Sequence, residues 1–133
     1  FLDDLEPPHR FDPPDDDLHW VFRGQQAISR SMLDGISVWA REIVRPEDEQ
    51  SPGIIEHERK RAMRLAEHFE AVIDAPPLTG DLNMIQLFLF CALNAERRMP
   101  DLDWRTGRPG LVNWFDRVHG LPSVTGSSPP PGV

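Results

Sequence analysis

The stretch Leu82-Asn83-Met84-Ile85-Gln86-Leu87-Phe88-Leu89-Phe90-Cys91-Ala92-Leu93 decides the fold. Asn83, with Gln86 three residues later, has the form of a capping box. The Asn83 side chain can accept from the N–H of Gln86, and the Gln86 side chain can reach back to the N–H of Asn83. Leu82 before the cap and Leu87 after it are placed for a hydrophobic staple. From Leu87 to Leu93 the chain is apolar on nearly all sides. So short an apolar run also suits a strand, but the cap and the length choose helix. A helix without a polar face lies at the centre of a domain. Within it, Cys91 reads as a small core residue rather than a reactive thiol.

Outward from this segment, the 14 prolines leave uninterrupted windows long enough for helices, because proline lacks an N–H and clashes with the preceding turn. Residues 18–44 form the first window. There Ile28, Met32, Ile36, Trp39 and Ile43 recur at three- and four-residue steps, one apolar stripe of a helix. Asp15-Asp16-Asp17 sits at its positive end. Gly35 in mid-helix points to close packing against another backbone, or to simple tolerance of glycine there. Residues 52–74 form the second window, with Ser51 as a candidate cap and Pro52 at the first helical position. Its buried face is Ile55, Ala62, Leu65, Ala66, Phe69, Val72 and Ile73. The last helix opens at Pro109 and closes at His119 before Gly120, with Leu111, Trp114, Phe115 and Val118 inward. Nothing alternates as a half-buried strand would, so the fold class is all-α, a helical bundle around a buried central helix. Residues 1–17 read as a Pro- and Asp-rich linker, 18–121 as the helical domain and 122–133 as an irregular tail.

The net charge of −8 argues against phosphate backbones and anionic membranes as partners. No apolar run approaches the ~18 residues of a membrane span. The single cysteine precludes an internal disulfide. The five histidines form no zinc pair, since Arg61 stands where a His-Glu-x-x-His motif starting at His57 needs its second histidine. No metal is therefore expected.

The ordered set of features resembles the C-terminal helical domain of the glutathione transferase family. The carrying residues are Asn83 to Gln86, Pro100-Asp101-Leu102-Asp103-Trp104, Arg108-Pro109-Gly110-Leu111-Val112-Asn113-Trp114 and Leu121-Pro122-Ser123. Upstream, Phe1-Leu2-Asp3 resembles the end of the thioredoxin-like domain that precedes the helical domain in that family, and the Pro-rich stretch after it resembles the interdomain linker. Met32-Leu33-Asp34-Gly35 and Arg45-Pro46-Glu47 resemble the first long helix of bacterial members and its following loop.

The resemblance implies a cytoplasmic homodimer that joins glutathione, as co-substrate, to a small hydrophobic electrophile. The thiol-activating Tyr, Ser or Cys of that family lies in the thioredoxin-like domain of the same chain. This sequence has no tyrosine, and the resemblance assigns it no catalytic residue and no bound cofactor. The helical domain would supply one wall of the electrophile pocket and part of the dimer interface. Off the apolar stripe of the first helix, Val38, Arg41 and Arg45 would border the cleft, with Trp39 beside them, and an arginine there suits an anionic group. Several members carry an acidic residue where Val38 stands, one that reaches the glutathione of the partner subunit. Its absence, with the lack of a catalytic group, leaves a second reading: a non-catalytic protein–protein interaction module of the same fold.

Overall fold

The computed structural model describes residue 11 and residues 13–127. Helix α1 spans His19–Ile43, α2 Pro52–Val72, α3 Met84–Asn94, α4 Pro109–His119 and α5 Pro122–Ser127, with 3₁₀ turns at Glu47–Glu49 and Ala95–Arg97. Among the described residues there is no strand. Helix α1 packs against α2 and α3, α4 packs against the same two, and α5 packs on α4. Most of the reading of residues 1–17 lies outside the described residues.

Helices α1, α2 and α4 turn residues of their expected stripes inward, and one side of α3 joins them. Met32, Ile36 and Trp39 of α1, Ala62, Ala66 and Phe69 of α2, Ile85, Leu89 and Leu93 of α3, and Leu111, Phe115 and Val118 of α4 share one buried cluster. The tail is not irregular throughout. Residues 122–127 form α5, because Pro122 suits a first helical position and Val124 finds a buried seat in the cluster.

The cap of α3 forms, but only half of the capping box does. Asn83 Oδ1 accepts from the N–H groups of Ile85 (3.0 Å) and Gln86 (3.2 Å). Gln86 does not reach back to the N–H of Asn83. Its Nε2 donates instead to the carbonyls of Pro77 (3.2 Å) and Asp81 (3.0 Å). Asn83 Nδ2 donates to the same two oxygens, at 2.8 and 3.4 Å. These carbonyls belong to a partly buried loop whose acceptors need partners, and the two amides supply them. From the other side, Trp114 Nε1 and Arg117 Nη2 donate to the carbonyl of Leu78, at 3.0 and 3.1 Å.

Other helix ends are satisfied through tertiary contacts. Ser51 makes no side-chain cap on α2; its backbone N–H donates to Glu42 at the end of α1 (2.9 Å). At the start of α4, the Glu70 carboxylate of α2 accepts from the N–H of Gly110 (3.0 Å) and of Leu111 (2.6 Å). That placement is doubly favoured, since a helix N-terminus attracts negative charge. Gly110 makes room for it, because a Cβ there would meet the Glu70 oxygens at 3.1 and 3.2 Å. Gly35 also marks a close approach, though to side chains rather than a backbone. A Cβ at Gly35 would be in hard contact with the Glu58 carboxylate. Glu58 pairs with Arg61 (3.0 Å), which donates onward to the carbonyl of Ser31 (2.7 Å).

Removing the Asn83 side chain takes away both the cap and two loop contacts. Asn83→Ala is expected to destabilise the domain by about 2 kcal/mol, measurable by urea unfolding, whereas a loss within error would mean that water replaces the cap.

Candidate functional site

Val38, Trp39, Arg41 and Arg45 lie along the second half of α1, and the helix splits them. Trp39 is 1% exposed and belongs to the core cluster, so it supports the helix from beneath rather than meeting solvent. Val38 is half-buried and Arg41 is exposed. Four residues make slightly more than one turn, which brings Asp34, Val38, Arg41 and Arg45 onto one outward face.

The charges on this face are unequally committed. Arg45 pairs with Glu42 (3.2 Å) and Glu49 (3.6 Å), and its carbonyl accepts from Gln50 Nε2 (2.9 Å). Asp34 lies near Arg30 (3.9 Å), with both side chains largely in water. Arg41 makes no ion pair or hydrogen bond with a described residue. Of the two arginines, Arg41 is therefore the one with donors open to an anionic ligand. Glu42 is held below its ordinary pKa, first by the hydrogen bond from the Ser51 N–H and then by Arg45, with slight burial opposing both. It is thereby kept anionic and ties Arg45 and the start of α2 to the end of α1.

Helix α3 departs from the expected full burial. Ile85, Leu89, Phe90, Ala92 and Leu93 are buried, but Met84, Leu87 and Phe88 are only half-buried and Cys91 is exposed. These four fall at positions i, i+3, i+4 and i+7, one helical face. Cys91 is thus a residue of an open apolar face and not of the core. Partial burial against neighbouring protein atoms still pushes its thiol above the ordinary range, which favours the protonated form.

A cavity of about 510 Å³ opens between α4 and the loop after α2, lined by Ile73, Asp74, Thr79, Asn113, Trp114 and Arg117 among others. None of the four α1 residues lines it. Among the described residues no group of three or more His, Cys, Asp or Glu could hold a metal ion, and no helix is long and apolar enough to cross a membrane. The contacts of Glu70 and of Glu42 escaped the sequence reading, since each joins residues through the fold rather than through a local pattern.

No family model and no curated protein matches the sequence. Solved structures do. The chain is similar to a glutathione transferase family member from Pseudomonas fluorescens with bound glutathione. The TM-score is 0.84 and the identity 23%, over 97% of this chain and 63% of that one. It is also similar to a glutathione S-transferase from Methylobacillus flagellatus with glutathione bound (TM-score 0.79, identity 20%, 96% and 65% of the two chains). A third is a glutathione S-transferase from Methylobacterium radiotolerans in complex with glutathione sulfonate (0.75, 20%, 99% and 63%). These likenesses show the fold: a glutathione-transferase-type helical domain, spanning less than two thirds of each of those chains.

The lowered pKa of Glu42 sets a pH dependence. A carboxyl with a depressed folded-state pKa contributes stability above its unfolded value and loses it as pH falls through the folded value. Glu42→Gln is therefore expected to be less stable than the parent at pH 7. The gap should close progressively below the ordinary value of 4.5. Thermal unfolding at several pH values tests this, and a gap that does not change with pH would show that charge at Glu42 has no part in it.

Proposed function

We propose that this chain is the helical portion of a protein that joins glutathione to small hydrophobic electrophiles, working as a homodimer in the cytoplasm. The supporting observation is the match at TM-score 0.84, over 97% of the chain, to a glutathione transferase family member with bound glutathione. That match leaves more than a third of the other structure without a counterpart here, the share that a thioredoxin-like domain would supply. Such a domain would bring the thiol-activating group, which the sequence reading did not find in these residues.

The open face of α3 supports this arrangement. Met84, Leu87, Phe88 and Cys91 offer an uncharged, half-covered stripe on the most apolar helix among the described residues, and a contiguous apolar face of that kind suits an interaction site. In our reading the thioredoxin-like domain of the same chain covers it. On α1, Val38 would form part of one wall of the electrophile pocket. Arg41, with no ion pair or hydrogen bond among the described residues, would meet a carboxylate of glutathione or of the substrate, and Arg45 would act mainly by holding the α1–α2 turn in place.

The reading is tested on the natural polypeptide that carries this sequence. Its intact mass should reveal roughly 80 further residues upstream, the size of a small domain, and it should be retained on immobilised glutathione and elute with free glutathione. A natural start near Phe1 with no retention would overturn the reading and favour a protein–protein interaction module. In the longer polypeptide Phe88→Asp should lower the melting temperature and abolish retention, while in the 133-residue chain it should change the melting temperature little. Equal tolerance in both would remove α3 as the docking face. Arg41→Ala should weaken glutathione-dependent activity by about tenfold, the scale of one charge-assisted contact.

A further inference from the structure

We infer that the cavity between α4 and the loop after α2 is a binding site for a short peptide zwitterion, a dipeptide whose ammonium meets Asp74 and whose carboxylate meets Arg117. The inference is independent of the reading of α1 and glutathione given above.

One wall of the cavity is built by helical spacing. Gly110, Asn113, Trp114 and Arg117 fall at positions i, i+3, i+4 and i+7 of α4, one face of the helix, and all four line the cavity. The opposite wall is the end of α2 and the loop after it, with Ile73, Asp74 and Thr79. Two contacts fix how the walls face each other. A Cβ at Gly110 would meet Ile73 at 3.2 Å, so the end of α2 lies beside the first turn of α4. Arg117 Nη2 donates to the carbonyl of Leu78 (3.1 Å), so Thr79 lies beside the last turn. Asp74 and Arg117 are thereby set towards opposite ends of the cavity. At about 1.5 Å per residue, Gly110 and Arg117 stand about 10 Å apart along the helix.

The polar groups of this cavity are uncommitted. The side chains of Asp74, Thr79 and Asn113 make no hydrogen bond or ion pair with a described residue. Arg117 commits only Nη2, to Leu78, and does not pair with Asp74. Ile73 and Trp114 are buried, at 5% and 4% exposure, and give the cavity an apolar floor. A volume of about 510 Å³, an apolar floor and a few convergent polar groups are the common features of small-ligand sites.

The two charges and their spacing select the ligand. A simple carboxylate at Arg117 leaves Asp74 unused, and a simple amine at Asp74 leaves Arg117 unused. A molecule carrying both charges engages both ends. Asp74 also follows directly on the C-terminal end of α2, where the helix dipole favours a cation. A single amino acid carries its two charges on one carbon and reaches only one end. A dipeptide, at about 3.5 Å per extended residue, covers the length with a hydrogen bond at either end. Asn113 then stands beside the peptide group between the charges, where its amide both donates and accepts, and an apolar side chain rests on Ile73 and Trp114.

Titration of alanyl-phenylalanine into the natural polypeptide that carries this sequence, with isotope-labelled tryptophan, tests the inference. The Trp114 indole N–H donates to Leu78 at the edge of the cavity (3.0 Å), so its NMR signal reports occupancy. A saturable shift is expected, with a dissociation constant of about 1 mM or tighter. Acetylating the amine of the peptide, or amidating its carboxylate, should each weaken binding at least about tenfold, the scale of one hydrogen bond to a charged group. Asp74→Asn should weaken binding of the free peptide by the same factor and leave the acetylated peptide unchanged, since two changes at one contact do not add. Circular dichroism of that variant should match the parent, because Asp74 holds no described polar partner. No shift up to about 10 mM would overturn the site. Binding that acetylation or amidation leaves intact would overturn the zwitterion, a result that needs no change to the protein, and binding that Asp74→Asn leaves intact would overturn the role of Asp74.

Discussion

The fold turns on how a short loop satisfies its carbonyls. Between α2 and α3 the chain must turn against the core, where water cannot serve each backbone oxygen. Pro77 and Asp81 each receive two side-chain amide donors from Asn83 and Gln86, and Leu78 receives Trp114 and Arg117. The loop is thereby tied to α3 on one side and α4 on the other. Trp104 adds a matching tie, donating its indole N–H to the carbonyl of Leu93 at the end of α3 (2.9 Å). Two buried tryptophans therefore fix the segments at the two ends of the central helix, and α3 is held in position by polar contacts as much as by its apolar surface.

This explains which parts of the fold were legible in the sequence. The stripe of α1 and the apolar face of α4 repeat at helical spacing, so periodicity located them, and the cap at Asn83 is a local pattern. The orientation of α3 was hidden for a physical reason: a helix apolar on nearly all sides has no polar face to show which side is inward. Its open side, with Cys91, follows only from where α1 and α4 pack. The same limit applies to Glu70 on the start of α4, to Glu42 on Ser51 and to Glu58 beneath Gly35. Each joins groups that the fold brings together, and a carboxylate reads the same in sequence whether it caps a distant helix or faces water. Gln86 shows that even a local motif can be redirected, since the neighbouring loop offered its amide two acceptors in place of one donor.

The candidate site was legible only as a face. Spacing placed Val38, Arg41 and Arg45 together off the apolar stripe, but the availability of each depends on neighbours that spacing does not report. Arg45 is occupied because the α1–α2 turn brings Glu49 back beside Glu42, whereas Arg41, one turn earlier, has no acidic partner among the described residues. Trp39, adjacent in sequence, points the opposite way, as a hundred-degree step per residue requires.

The open side of α3 has a physical character that bears on the reading proposed above. Met84, Leu87 and Phe88 are half-covered and the stripe carries no charge. A domain linked in the same chain is present at a high effective concentration, so modest burial without charge steering suffices to hold it. In that reading the face therefore needs neither a deep pocket nor an ion pair to keep a linked domain in place.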